Sequence, residues 1–68
     1  MLEKRSVSLS GHRTSIALEP EFWAALERIA KAETRSLANI IGRIDSARSP
    51  EQPLASALRV YALRSVLN

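Results

Sequence analysis

Sixty-eight residues with ten Lys or Arg against seven Asp or Glu define one small domain with a net charge of +3. The chain has no cysteine, and its single histidine, His12, cannot hold a metal alone, so disulfide and metal staples are excluded. A chain of this length buries only about 60% of its unfolded surface. Without staples, a partner subunit is the expected source of extra core, and the 46% apolar share is more than one copy is expected to hide. The basic balance suits a polyanion. No apolar run approaches the roughly 18 residues of a membrane span, and MLEKRSVSLS lacks the apolar stretch of a signal peptide. A cytoplasmic protein with no membrane partner is expected.

Residues 1–11 begin with charges (Glu3, Lys4, Arg5) and continue as Ser6-Val7-Ser8-Leu9-Ser10, alternating polar and apolar before Gly11. This reads either as a flexible arm or as an extra short strand. From Arg13 to Leu18 the alternation is clearer. Thr14, Ile16 and Leu18 share one face, and Arg13, Ser15 and Ala17 the other. A strand this short is read as having no partner within the chain, so a second copy is expected to complete a two-stranded ribbon. Glu19-Pro20 ends it, because proline lacks a ladder N–H and suits the first turn of a helix.

A first helix is expected from about Pro20 to Glu33. Phe22, Leu26, Ile29 and Ala30 form its inner stripe, with Trp23 covering the core edge and Glu27–Lys31 an exposed pair. Thr34-Arg35-Ser36 is the turn, with Ser36 the cap of a second helix. Leu37, Ile40, Ile41 and Ile44 make that helix's apolar stripe, and Gly42 within it suggests close packing against another helix. Residues 12–47 then form one core unit. A linker over Ala47 to Pro53 leads to a third helix from about Pro53 to Val66. That helix is apolar on two sides (Leu54, Leu58, Tyr61; Val60, Leu63, Leu67), with Arg59 and Arg64 left for solvent. A sandwiched helix of this kind would serve a dimer, a further assembly or a protein partner.

Catalysis is not expected. There is no cysteine nucleophile, no glycine-rich phosphate loop, and no serine with a base and orienter; nor is a cofactor or metal implied. DNA binding has a physical case, because a two-stranded ribbon fits the major groove. With Thr14, Ile16 and Leu18 facing the core, Arg13, Ser15 and Ala17 face outward. Arginine can bond guanine, serine can donate or accept, and an alanine methyl can meet the thymine methyl. The free N–H groups at Ser36 and Leu37, next to Arg35, form an anion site at a helix start. Lys4, Arg5 and His12 lie close enough to the ribbon to reach flanking phosphates.

These residues resemble the ribbon-helix-helix (MetJ/Arc-type) family of DNA-binding proteins. Arg13 to Ile44 looks like the family core of strand, Pro-started helix, tight turn and R-S-L helix start. A D-A-R linker (Asp45, Ala47, Arg48) and an S-A-L-R-V helix (Ser56 to Val60) are similar to a bacterial subfamily with an added C-terminal helix. The resemblance implies a mainly α fold with one short β-strand, as an intertwined homodimer, or a pair of dimers, around an antiparallel ribbon. Its dimer core would include Ile16, Leu18, Phe22, Leu26, Ile29, Leu37, Ile40, Ile41 and Ile44. It implies sequence-specific binding of double-stranded DNA by a transcriptional regulator, a repressor, with Arg13, Ser15 and Ala17 at the base-reading places and Ser36 and Leu37 at the phosphate clamp. An antitoxin, or an interaction module without DNA binding, are the alternatives. Two features depart from the pattern: Ala17 offers only a methyl, and Glu33-Thr34 stands where the turn usually has glycine.

Overall fold

A computed structural model describes residues 1–68 as two strands and three helices: β1 Glu3–Leu9, β2 His12–Leu18, α1 Pro20–Ala32, α2 Leu37–Ala47 and α3 Leu54–Leu67. The N-terminal segment is therefore a full strand. It pairs antiparallel with β2, Glu3 opposite Leu18 and Leu9 opposite His12. This corrects the expectation of a single strand awaiting a second copy, since the ribbon closes within the chain. The physical reason lies in Ser10 and Gly11, whose φ values of 51° and 82° match a two-residue turn with both central residues at positive φ. A Cβ at Gly11 would meet nothing within 4 Å, so its backbone angle, rather than space, favours glycine there.

Alternation sends Val7 and Leu9 of β1, and Ile16 and Leu18 of β2, toward the helices. The fully covered core joins Ile16 and Leu18 to Trp23, Leu26 and Ala30 of α1, Ile40, Ile41 and Ile44 of α2, and Ala57, Leu58 and Ala62 of α3. Phe22, Ile29 and Leu37, expected inside, are half-buried at its margin, and Trp23 takes the central place expected of Phe22. The indole goes inside because β1 gives its N–H a partner. Trp23 Nε1 donates to the Glu3 carbonyl at 2.8 Å, and the Arg5 guanidinium lies 4.7 Å from the ring centroid. Glu27, expected to pair with Lys31, instead accepts from Arg5 Nη1 at 2.6 Å.

α3 packs on both α1 and α2, so the isoleucine stripe of α2 is buried within one chain. Arg59 of α3 was expected in solvent. It donates to Glu19 Oε1 at 2.9 Å and lies 5.9 Å from the centroid of Phe22. Hydrogen bonding from its own backbone N–H, followed by the Arg59 contact, holds the Glu19 carboxyl below its ordinary pKa. No helix is long and apolar enough to cross a membrane.

The α1–α2 turn is a Schellman-type closure. The Thr34 N–H donates to the Lys31 carbonyl at 3.1 Å and the Arg35 N–H to the Ala30 carbonyl at 2.9 Å. Thr34 occupies the left-handed position at φ 55°, a strained place for a β-branched residue. Gly42 differs from expectation as well: a Cβ there would meet nothing within 4 Å, so no helix of this chain crosses at that point.

Candidate nucleic-acid interface

The hairpin turns its other face to solvent. Across it the register sets Lys4 opposite Ala17, Ser6 opposite Ser15 and Ser8 opposite Arg13. All six are exposed except the half-buried Ala17. Arg13 Nη1 donates to Ser8 Oγ at 3.2 Å, tying the two strands together on this surface. The face carries two cations and no carboxylate, because Glu3, the hairpin's one acid, has the opposite parity. Arg13, Ser15 and Ala17 thus lie together on the outward side. Ser6 and Ser8 join them, and Lys4 belongs to the same face rather than to a flanking arm. The signal for Ser6 and Ser8 was the alternation of residues 6–10 followed by Gly11, legible only if the two-residue turn is recognised.

Arg5 has inward parity and is occupied, with Nε 2.6 Å from Glu3 Oε2 and Nη1 2.6 Å from Glu27 Oε2. Hydrogen bonds to Glu27 and Glu3 raise its pKa above the ordinary value, so it stays charged but committed to the fold. His12 is exposed beside the turn, opposite Leu9.

At the start of α2, Ser36 Oγ accepts from the Asn39 N–H at 3.0 Å. The N–H groups of Leu37 and Ala38 have no protein acceptor, as the first turn of a helix requires. Arg35 folds over that turn, with Nη1 3.3 Å from Asn39 Oδ1 and Nε 3.7 Å from Glu33 Oε1. A cleft joins the two regions. Ser8, Leu9 and Ser10 of the hairpin tip line one wall, and Ala38, Asn39 and Gly42 of α2 lie on the other. The start of α2 and the turn end of the ribbon therefore flank one opening. Gly42 keeps its floor low.

With an exposed ribbon, two helices joined by a tight turn, and a capped α2 start in place, the family comparison is decisive. A model described as ribbon-helix-helix domain matches residues 2–66. The chain belongs to the ribbon-helix-helix family. Such domains generally bind DNA, as transcriptional regulators or antitoxins, and generally form dimers. They are typically non-enzymatic. No curated protein and no solved structure was found to match the chain. In this ribbon-helix-helix domain, the match includes β1 and α3 as well as the strand-helix-helix unit between them.

Proposed function

We propose that this ribbon-helix-helix domain binds double-stranded DNA in a sequence-specific way as a transcriptional regulator, a repressor that occludes its site. Arg13, Ser15 and Ala17 read base edges from the outer ribbon face. The N-terminal turn of α2, with Leu37, Ser36 and Arg35, holds a phosphate, and Lys4 and His12 approach the flanking backbone. The supporting observation is the ribbon face: largely exposed, cationic at Lys4 and Arg13, free of carboxylates and otherwise made of short side chains. Arg5 is assigned to holding the hairpin on α1 rather than to phosphate.

The test is fluorescence anisotropy of the full chain with duplex from its gene's upstream region, against a scrambled duplex, across a salt series. Preference for the upstream duplex that persists at physiological salt is expected. The affinity should fall steeply as salt rises, because phosphate contacts release counterions. Arg13→Ala should reduce the preference about tenfold, the scale of one good arginine–guanine pair. Equal, weak binding of both duplexes that vanishes at physiological salt counts against regulation of its own gene.

A protein-interaction role has its own supporting observation. Leu63, Val66 and Leu67 at the end of α3 are 55%, 70% and 73% exposed, which is costly in water unless something covers them. A homodimer partner is the reading we favour for that surface. Sedimentation velocity of the chain against Leu63→Glu measures it, with dimer expected for the former and monomer for the latter.

A further inference from the structure

We infer that the groove between α2 and α3 binds a small organic anion, a carboxylate carried on an apolar body. The inference stands apart from the DNA-binding reading, since neither the ribbon face nor the first turn of α2 takes part in it.

The groove exists because small residues meet where the two helices pack. Ala57, Val60, Tyr61 and Arg64 recur at three- and four-residue spacing along one side of α3, and Ile44 and Ala47 face them from α2. The short side chains of Ala47 and Ala57 leave a hollow of about 480 Å³, within the range of small-molecule sites. Its floor is apolar. Its rim is cationic, with Arg43, Arg48 and Arg64, and no carboxylate is among the lining residues. The acids that approach the rim are already engaged: Asp45 Oδ1 lies 2.8 Å from Arg48 Nε, and Glu33 Oε1 lies 3.1 Å from Arg43 Nη2.

Those bonds fix the guanidiniums without exhausting them. Arg48 Nη1 donates to the Gln52 carbonyl at 2.7 Å, which leaves Nη2 without a protein acceptor. Tyr61 Oη accepts from Arg43 Nη2 at 3.1 Å, so its own proton remains to be donated. Arg64 is exposed and has no ion pair. Spare donors around an apolar floor match a carboxylate with a hydrocarbon tail. Guanidinium binds carboxylate strongly and directionally, and the tail gains by leaving water. A bare phosphate would leave the floor unused. A second copy docked about a two-fold axis would set three arginines against the same three.

The test is titration of the isotopically labelled full chain with sodium octanoate, followed by amide chemical shifts. Sodium acetate supplies the charge alone, and octan-1-ol the apolar body alone. Saturable shifts are expected at Ala47, Ala57 and Val60. Octan-1-ol should bind about tenfold more weakly, the scale of one hydrogen bond to a charged group, and acetate should not saturate. Affinity should climb about twofold for each CH₂ from butyrate to octanoate, roughly half the full-burial effect because the groove is open on one side. Arg64→Gln should weaken octanoate about fivefold with circular dichroism unchanged, since Arg64 has no ion pair to lose. Ala47→Leu, which fills the hollow from an exposed position, should abolish saturation. The inference falls if octanoate and octan-1-ol bind alike, because the groove is then only apolar. It also falls if the shifts are confined to Leu63, Val66 and Leu67, which would place the probe on the exposed end of α3, or if neither variant alters affinity.

Discussion

Trp23 is the clasp that holds β1 to the helices, and Trp23→Phe tests that placement. The substitution keeps a buried aromatic ring but removes the Nε1–H that donates to the Glu3 carbonyl at 2.8 Å. Losing this hydrogen bond from a covered site costs about 1 kcal/mol. The smaller ring leaves a void worth about another 1–2 kcal/mol, at roughly 24 cal/mol per Å³. The sum of about 2–3 kcal/mol is a large part of the roughly 3–10 kcal/mol expected for a domain of this size. At about 4–8 °C per kcal/mol in small domains, Tm should fall by roughly 10–20 °C in a thermal scan followed by far-ultraviolet circular dichroism. Amide exchange at Val7 should quicken more than exchange at Leu58, because the clasp acts on β1 first. A Tm within about 4 °C of the parent would refute the reasoning: β1 would then be held by something other than the indole.

Three further outcomes follow from the turns and the α1 start. Ser10→Asn should raise Tm by about 2–4 °C in the same scan, since asparagine accepts positive φ in a two-residue turn more readily than serine; a fall would mean that the serine hydroxyl contributes there. Thr34→Gly relieves a left-handed residue that costs about 1–2 kcal/mol, against about 0.5–1 kcal/mol of glycine entropy. The urea midpoint should therefore rise, and a fall would show that the threonine's packing outweighs its strain. Glu19 has its pKa lowered by folding, so its contribution is present above the unfolded value and lost as pH falls through the folded one. Glu19→Gln should accordingly be less stable than the parent near neutral pH, with the two urea midpoints converging below about pH 4. A gap independent of pH would remove the charge from the account.

Much of this fold can be read from local chemistry. Pro20 and Ser36 mark helix starts because a missing N–H and a hydroxyl acceptor suit the first turn whatever the tertiary surroundings. The faces of β2 follow from parity alone, which is why Arg13, Ser15 and Ala17 fall on the outer side. Other features depend on distant partners. Whether 3–9 is an arm or a strand turns on Ser10 adopting positive φ, which its side chain permits but does not demand. The exchange of Phe22 and Trp23 depends on a carbonyl 20 residues away, invisible to helical spacing. Arg5 and Arg59 look like solvent or phosphate residues until Glu27 and Glu19 are brought opposite them. Gly42 suggests crossing helices by composition, yet borders an open cleft.

The parity of β1 separates two jobs that compete in most strands. Ser6 and Ser8 are exposed and lack the β-branched or aromatic bulk that packs well on a strand, so they contribute little to holding the hairpin. That task falls to the inward row: Val7 and Leu9 against the core, Arg5 between two carboxylates, and the Glu3 carbonyl on Trp23. A one-residue slip would bury Lys4 and the serines and expose Val7 and Leu9. The two-residue turn and the indole clasp, at opposite ends of the strand, both forbid it. Because the fold is secured on one side of the ribbon, the other side is free to carry side chains chosen for what they meet.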